Sequence, residues 1–557
     1  MSQQQMQGQP MIVLGEDAQR MKDESAQEHN IAAARAVAES VRSTLGPKGM
    51  DKMLVTSLGD IVVTNDGVTI LDEMDIDNPT AEMIVEVAET QEDEAGDGTT
   101  TAVSVAGELL KGAEELLDQD IHPTAVIKGF TMASEQARTE VDDMAIEVDR
   151  EDEETLRRVA ETSMTGKGAE QHKDTLANLV VNAARAVTVE AEDGSYIVDL
   201  AYLNTETATG DSAGNSEVIE GGIIDKDPLH EDMPDRAEGD VLLLDSPMEL
   251  EEADVDTQVS VTDPDQLQDF IAQEEQQLQE MVDTVVDLGA DVVVCQKGVD
   301  DMVQHYLAKE GVLAMRRVKK SDLEFLREVL GASIVSDLDT AAAADLGAGT
   351  VTRDEDADHY IVEGDEDAHG VTLYLRGSTD HVVDEIERGV QDALDVVADT
   401  ITEGTVLPGG GAPETEVAAR LRDYADGVSG REQLAVEVFA DALDVVPRTL
   451  AENSGLDPID TLVDLRSAHD DDRVRAGLNV FTGDVEDAFD AGIVEPAHAK
   501  RQAVSSATEA ANLVLKIDDI ISAGDLSTEG DEDPGAGGPG GGMGGGMGGM
   551  GGMGGAM

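Results

Sequence analysis

The segment AGDGTTTAV at residues 95–103 has the composition of a loop that binds an anion at the start of a helix. Backbone N–H groups of a glycine-rich turn attract phosphate, and the dipole of the following helix adds to that attraction. The segment has no Lys where a P-loop carries one, and it contains an acid, Asp97. Because Mg²⁺ commonly bridges a carboxylate to nucleotide phosphates, Asp97 is a candidate Mg²⁺ ligand. A capped helix start that binds nothing explains the same residues.

Three other loops of small residues have similar chemistry. They are LGPKG at 45–49, NDG at 65–67 and LPGGGA at 407–412. Each lies at a predicted helix or strand end, where glycine lets the backbone approach a ligand closely. Loops so far apart in sequence have no structural reason to share this composition unless they converge. The sequence therefore predicts one composite phosphate-binding site.

Periodic apolar residues predict the elements that position these loops. Apolar side chains recur at helical spacing over 31–45, and a Gly-Pro pair follows as a stop. Residues 60–71 are predicted to form two short strands around the NDG turn. Helical spacing resumes after the AGDGTT segment, with Thr99 or Thr100 as the expected cap, and continues to about residue 190.

The middle of the chain has a different pattern. Short aliphatic strands at 240–245 and 291–295 alternate with helices, one of them at about 265–287. This alternation predicts an α/β domain inserted between helical segments. Helices return from about residue 373 and end near residue 523. The predicted fold class is therefore mainly α with an α/β insertion.

The charge of the chain indicates the medium in which it works. It has 37 Lys and Arg against 121 Asp and Glu, a net charge of −84. Such self-repulsion is tolerable where salt reduces the Debye length to about 3 Å, as at 1 M. Disorder is a poor explanation because 40% of the residues are apolar and periodically arranged, although a basic partner remains an alternative. We predict a salt-accumulating cytoplasm.

Several classes of function are disfavoured. With 2% aromatic residues and no Trp, the chain lacks the faces on which single-stranded nucleic acid stacks. Its first 20 residues lack the long apolar stretch typical of a signal peptide and no run of about 18 apolar residues occurs, so we expect a protein without membrane contact. The one cysteine, Cys295, lies in an apolar run and is predicted to be a core thiol. GDSAG at 210–214 fits a nucleophile elbow, but its polar flanks favour an exposed turn at Ser212.

A set of motifs in a fixed order resembles one family. The motifs are LGPKGMDKMLV (45–55), TNDGVTIL (64–71), GDGTTTAV (96–103), TGKGAE (165–170), LPGGGAPE (407–414) and SSATEAANLVLKIDD (505–519). In sequence and order they resemble the group II chaperonins, which comprise the archaeal thermosome and its eukaryotic cytosolic relatives. The Gly/Met-rich end of the chain is similar too. Each motif is weak alone, but the combination extends over nearly the whole sequence.

The resemblance implies a three-domain chaperonin subunit. A helical equatorial domain that binds ATP would comprise 1–148 and 403–527, and a hinge-like intermediate domain would comprise 149–218 and 368–402. An α/β apical domain at 219–367 would bind substrate and carry a helical protrusion at about 247–285 as a built-in lid. Residues 528–557 would form a disordered Gly/Met-rich tail.

The resemblance also implies roles for individual residues. Asp97 would hold Mg²⁺, Asp392 would orient or deprotonate the attacking water, and Asp66 would assist near the γ-phosphate. The residues implied to contact ATP are Leu45, Gly46, Pro47, Lys48, Gly98, Thr99, Thr100, Thr101, Lys167, Gly410, Gly411 and Glu495. Among these, Gly98 and the three threonines would hold phosphate, Lys167 would sense the γ-phosphate, and Glu495 would contact the ribose or the base. Without the resemblance, Asp392 is more simply a solvated residue on an acidic helix.

The implied function is ATP-dependent protein folding by a double ring. ATP, Mg²⁺ and K⁺ would be the cofactors, and non-native polypeptides would be the clients. The ring would be built from this chain alone or with paralogous subunits, in the cytoplasm and without a separate co-chaperonin. A passive holding protein that binds nucleotide without turnover is the alternative.

Overall fold

The structure is a computed structural model that describes residues 20–22, 24–55, 59, 61–74, 76–167, 172–191, 193–250, 264–354, 359–364 and 370–521. Residues 251–263 of the predicted lid and all of the predicted tail at 528–557 lie outside the described residues. None of the helices in the described part of the chain combines the length and apolar character of a membrane span.

The first part of the chain is mostly helical. Its elements are β1 (Arg20–Lys22), α1 (Glu24–Arg42), β2 (Lys52–Val55), β3 (Ile61–Thr64), α2 (Gly67–Asp72), α3 (Pro79–Ala95), α4 (Thr99–Leu117), α5 (Pro123–Met144) and β4 (Ile146–Glu147). Strand β1 pairs with the last strand of the described residues, Asp519–Ile521, so the two ends of the described sequence meet.

The middle part alternates strands and helices. Its elements are α6 (Glu153–Met164), α7 (Lys173–Ala186), β5 (Thr188–Glu190), β6 (Tyr196–Val198), β7 (Leu203–Thr209), β8 (Glu217–Glu220), β9 (Gly222–Ile224), β10 (Arg236–Leu244), α8 (Pro264–Leu288), β11 (Val292–Cys295), α9 (Asp301–Glu310), β12 (Leu313–Met315), α10 (Lys320–Leu330), β13 (Ile334–Val335), β14 (Gly347–Asp354), β15 (His359–Gly364), β16 (Val371–Gly377) and α11 (Asp380–Glu403). The parallel strands β10, β11 and β12 lie side by side in a seven-stranded sheet.

The last part is helical again. Its elements are β17 (Thr405–Pro408), α12 (Ala412–Ala425), α13 (Glu432–Leu443), α14 (Val445–Asn453), α15 (Pro458–Asp470), β18 (Ala476–Asn479), β19 (Asp484–Asp487), β20 (Val494–Pro496), α16 (Ala497–Lys516) and β21 (Asp519–Ile521). This helical, α/β, helical order confirms the predicted fold class.

Buried apolar side chains form three clusters. The first joins residues 31–141 to 407–515, the second lies within 224–362, and the third joins 156–213 to 371–406 and Val494. The first and third clusters therefore draw on segments from both sides of the second. As expected from the composition, Val, Leu, Ile and Ala supply most of the buried apolar side chains.

Two local predictions are wrong. Residues 60–71 do not form a hairpin around the NDG turn, because β3 ends at Thr64 and the following residues form helix α2. The β-branched run VTI favours a strand by propensity, but Asp66 caps a helical turn that buries Ile70 and Leu71. The hairpin instead joins β2 to β3. Helix α4 is preceded by Gly98 at its N-cap, and neither Thr99 nor Thr100 caps it.

Two other features match the sequence analysis. Cys295 is a buried thiol, and its burial raises its pKa to about 11. Ser212 is exposed and caps a short 3₁₀ turn, with its hydroxyl accepting a hydrogen bond from the Gly214 N–H at 3.3 Å. A nucleophile elbow requires a longer helix after the serine.

Candidate functional site

The four small-residue loops converge on one cavity of about 510 Å³. Residues of the first buried cluster form one side, and residues of α6 and the turn after it form the other. The predicted site residues that line the cavity are Leu45, Gly46, Pro47, Asp66, Asp97, Gly98, Thr99, Thr100, Thr101, Lys167, Gly410, Gly411 and Glu495. Lys48 and Asp392 are outside this lining.

Helix α4 presents its N-terminus to the cavity. Gly98 precedes it with a φ of 86°, a backbone conformation that favours glycine. No side chain among the described residues caps the first turn of this helix. Asp97 accepts a hydrogen bond from the Gly98 N–H through Oδ1 at 2.7 Å, so its carboxylate is held beside that turn.

Helix α12 brings a second N-terminus to the same cavity. Gly411 precedes it, and within the described chain this helix also lacks a side-chain cap. The first-turn N–H groups of both helices therefore carry the positive ends of the helix dipoles toward one space. This arrangement fits an anion such as a phosphate.

Asp66 lies at the N-terminus of α2. Its Oδ2 accepts hydrogen bonds from the N–H and the hydroxyl of Thr69, at 2.8 and 2.7 Å. The preceding residue, Asn65, donates through Nδ2 to the carbonyl oxygen of Gly166 at 2.8 Å. The NDG loop therefore contacts the turn that carries Lys167.

Asp392 lies behind the cavity wall on α11. It is 7% exposed, and its Oδ2 accepts a hydrogen bond from Lys167 Nζ. Burial raises the pKa of Asp392 to about 6; Lys167 lowers this pKa, and Asp97 and Asp66 raise it. Lys167 itself has a pKa above its usual value because attraction to Asp392, Asp97 and Asp66 outweighs the effect of its burial.

Glu92 on α3 belongs to the same group of charges, although the sequence analysis did not identify it. Burial raises its pKa to about 9, and repulsion from Asp392, Asp66 and Asp97 contributes. Glu92 is therefore protonated at neutral pH. Nothing in the local sequence distinguishes it from its acidic neighbours on α3.

Lys48 does not line the cavity. Its Nζ lies 4.7 Å from the centroid of the Phe481 ring, and Phe481 lines the cavity. This cation–π contact places Lys48 beside the site.

The charges of the lining are unusual for this chain. The acids are Asp66, Asp97, Glu161, Asp490 and Glu495, and the bases are Arg157, Arg158, Lys167, Lys173 and Lys500. Equal numbers contrast with the more than threefold excess of acids in the whole sequence. The cavity thus offers an anionic ligand a balanced set of charges in an acidic protein.

The residues present also fit a nucleotide-bound Mg²⁺. Among the described residues, no group of three or more His, Cys, Asp or Glu could hold a metal ion alone. Mg²⁺ in nucleotide sites usually takes one or two carboxylates and completes its coordination with phosphate oxygens and water. Asp97, beside the anion-binding turn, supplies such a carboxylate.

The sequence analysis also missed one residue beside the cavity, Gln91, and one that lines it, Lys500. Gln91 on α3 donates through Nε2 to the carbonyl oxygens of Asp97 and Ala499, at 2.7 and 3.2 Å. Lys500 lies on α16, and the apolar spacing of this helix is the one sequence signal that could have identified it. It precedes Val504, Ala507 and Ala511 on the buried face of α16, where a lysine requires a counter-ion.

Comparisons with known proteins match nearly the whole chain. Residues 37–525 match the TCP-1/cpn60 chaperonin family. The chain is 70% identical to Thermosome subunit 2 of Haloferax volcanii over 97% of each chain. It is 68% identical to Thermosome subunit beta of Halobacterium salinarum over 95% of each. The solved open-state monomer of a group II chaperonin from Methanococcoides burtonii has 41% identity and a TM-score of 0.61, covering 76% of this chain and 100% of that one.

Proposed function

We propose that this chain, which belongs to the TCP-1/cpn60 chaperonin family, hydrolyses ATP in the cavity described above and uses that hydrolysis to fold other proteins. Membership of the family makes the chain an ATP-dependent chaperonin and an ATPase. What we propose is which residues perform these steps. The observation that carries the proposal is the convergence of four distant loops, two uncapped helix N-termini and Lys167 on one cavity.

In this proposal, backbone N–H groups at Gly98 and Thr99 to Thr101 hold phosphate oxygens. Gly410 and Gly411 lie against the sugar, Leu45 to Pro47 lie against the nucleotide, and Lys48 acts from the rim through Phe481. Mg²⁺ held by Asp97 would neutralise phosphate charge. Because positioning and charge neutralisation supply most of the rate enhancement in phosphoryl transfer, these contacts suffice for much of catalysis.

We propose that Asp392 is the general base that activates the attacking water. Its carboxylate is buried, and Lys167 keeps it ionised near neutral pH, as a general base requires. When a nucleotide is bound, Lys167 would turn from Asp392 to the γ-phosphate and release the carboxylate for the water. Asp66 would assist from α2.

The three buried clusters correspond in this proposal to three domains. The first would be the equatorial ATP-binding domain, the third the intermediate hinge and the second the apical domain, whose protrusion closes as a built-in lid. Asp392 and Lys167 belong to hinge segments, whereas Asp97 belongs to the equatorial segment. Movement of the hinge would therefore assemble or dissolve the catalytic group.

We further propose a cytoplasmic double ring that acts on non-native polypeptides without a separate co-chaperonin, with K⁺ as a second cation. The relatives include subunits 1 and 2 of Haloferax volcanii and subunits alpha and beta of Halobacterium salinarum, which supports a ring that combines paralogous subunits. The high sequence identity to proteins of Haloferax and Halobacterium, together with the net charge of −84, supports a protein that functions at high salt concentration.

The variant Asp392→Ala tests the catalytic assignment. Loss of the general base should lower ATP turnover by at least about 100-fold. Because Asp392 lies outside the cavity lining, the affinity for ATP should change little. Turnover and nucleotide binding should be measured in molar KCl with Mg²⁺, with particle size as a check on assembly. Unchanged turnover would remove the assignment, and binding without turnover in the wild type would favour a passive holding protein.

A further inference from the structure

Lys500 occupies a buried position between two carboxylates at the back of the cavity. It lies in the first turn of α16, and its side chain is 13% exposed. Its Nζ is 2.8 Å from Glu414 Oε1 on α12 and forms a second, short ion pair with Glu495 Oε2 on β20. Glu495 and Lys500 line the cavity, whereas Glu414 does not.

Glu495 is confined on its other side by backbone. A Cβ atom at Gly409 would lie 2.6 Å from Glu495 Oε1, so even an alanine there would collide with the carboxylate. The carboxylate therefore lies between Gly409 and Lys500. Two fixed sides leave it little freedom to rotate away from the cavity.

The charges explain why the lysine is needed. Burial alone raises the pKa of Glu495 and favours its neutral form, whereas Lys500 lowers that pKa. Burial lowers the pKa of Lys500, but its attraction to Glu414 and Glu495 outweighs this and raises the pKa above the usual value. The pKa of Glu495 lies above its usual value, and Lys500, held as a cation between the two carboxylates, opposes that shift.

Glu414 holds the lysine from behind. Its Oε1 contacts Lys500, and its Oε2 is buried without a hydrogen-bond partner among the described residues. It lies beside a small apolar cavity of about 20 Å³ that Lys500 also lines. Burying a carboxylate oxygen without a hydrogen-bond partner costs free energy. We therefore interpret Glu414 as the residue that holds the Lys500 ammonium group in place.

We propose that Lys500 is a positioning residue that, anchored by Glu414, fixes the carboxylate of Glu495 to accept hydrogen bonds from the ribose hydroxyls of the nucleotide. This inference rests on the proposed function, because it assumes that ATP occupies the cavity. It concerns recognition of the ribose and is separate from the hydrolytic step at Asp392. Its effect should therefore fall on KM and leave kcat nearly unchanged.

The test compares ATP with 2′-deoxy-ATP and 3′-deoxy-ATP as substrates. In the wild type, KM for at least one deoxy nucleotide should exceed KM for ATP by about 10-fold, as expected for a hydrogen bond to a charged group. In Lys500→Met, KM for ATP should rise by about the same factor, with kcat within about threefold. The deoxy nucleotide should lose little, so the preference for ATP should fall close to one.

A second variant distinguishes loss of the positioning role from misfolding. Lys500→Met alone leaves two buried carboxylates without their cation, whereas Lys500→Met with Glu414→Gln removes one charge of each sign and preserves the net charge of the group. This double variant should also lose the preference for ribose. Lys516→Met, at the exposed C-terminal end of the same helix, removes one positive charge without touching the site and is the matched control.

The outcomes are distinct. A double variant that folds and keeps the wild-type preference for ATP would overturn the positioning role, and so would equal KM values for all three nucleotides in the wild type. Failure of the wild type to bind or hydrolyse any of them would instead overturn the proposed function. Loss of preference in both Lys500 variants, but not in Lys516→Met, would support the inference.

Discussion

At the scale of single residues, Asp392 has an environment that suits a base working near neutral pH. Its burial and its acidic neighbours raise its pKa, while Lys167 holds that pKa to about 6. An exposed aspartate would be ionised throughout the physiological range and would be a weaker base. The ion pair between Lys167 and Asp392 therefore compensates two buried charges and also sets the pKa of Asp392.

A pH profile should report this environment. The carboxylate must be deprotonated to accept a proton, so kcat/KM for ATP should fall as the pH drops through about 6. Below that point it should lose about tenfold per pH unit. The quantity kcat/KM is chosen because it reports the ionisation of the free enzyme.

Replacing Lys167 by Met gives the matched comparison. Because Lys167 lowers the pKa of Asp392, its removal should move the midpoint of the profile to higher pH. Light scattering at each pH verifies that the particle is intact. A flat profile from pH 5 to 8, or the same midpoint in both proteins, would contradict the assignment of Asp392 as the base.

At the scale of elements, one buried carboxylate joins four helices behind the cavity. Asp444 lies between α13 and α14 and is completely buried. Its Oδ2 pairs with Arg422 of α12 at 2.8 Å, with Arg448 of α14 at 3.7 Å and with Arg466 of α15 at shorter range. Because α12 begins at Gly411, this junction also fixes one of the two helix N-termini that face the cavity.

Asp444→Ala should therefore be strongly destabilising. Three arginines would lose a common partner, and breaking a buried ion pair in this way costs about 3–5 kcal/mol. Unfolding in urea at constant molar KCl measures the change without altering the ionic strength. Asp423→Ala, an exposed acid on α12, should change stability by less than about 0.5 kcal/mol. Equal midpoints for the two variants would show that the junction is unimportant.

Elements with a regular apolar pattern were predictable from the sequence. The helix expected at about 265–287 is α8, Pro264–Leu288. The strand expected at 240–245 is the buried end of β10, and the strand expected at 291–295 is β11, which is buried throughout. Strands buried on both faces appear as continuous apolar runs, which sequence patterns detect well. The prediction at 60–71 was wrong because tertiary burial of Ile70 and Leu71 outweighed local β-propensity.

The loops of the site were predictable from the sequence, but the ion pairs between its side chains were not. Glycines and small polar residues mark the loops locally, so the sequence identified all four. The pairs between Lys167 and Asp392 and between Lys500 and Glu414 join residues 225 and 86 positions apart. No local pattern encodes such contacts. Motif resemblance alone brought Asp392 into the site, and it gave no indication of Glu92 or Lys500.

At the scale of the whole molecule, the chain combines a large excess of negative charge with one balanced cavity. Most of the acids among the described residues are exposed or partly exposed, where their mutual repulsion opposes both compaction and assembly of identical chains. In dilute buffer of about 0.1 M ionic strength the Debye length is about 10 Å, and at 1 M it is about 3 Å. Assembly should therefore depend on salt more steeply than nucleotide binding within the protected cavity.

Withdrawing salt from the purified protein should dissociate it and abolish ATP turnover. In molar KCl the particle should be many times heavier than the 58.7 kDa chain, and in dilute buffer its mass should fall toward that of the chain. Light scattering and ATPase measured together across a KCl series, repeated with NaCl, separate two causes. Equal recovery in both salts would identify charge screening, whereas recovery of turnover in KCl alone, in particles assembled equally in both salts, would indicate a K⁺ requirement. A particle whose mass and activity stay constant at all salt concentrations would contradict the argument from net charge. It would show that repulsion among unscreened carboxylates does not limit assembly.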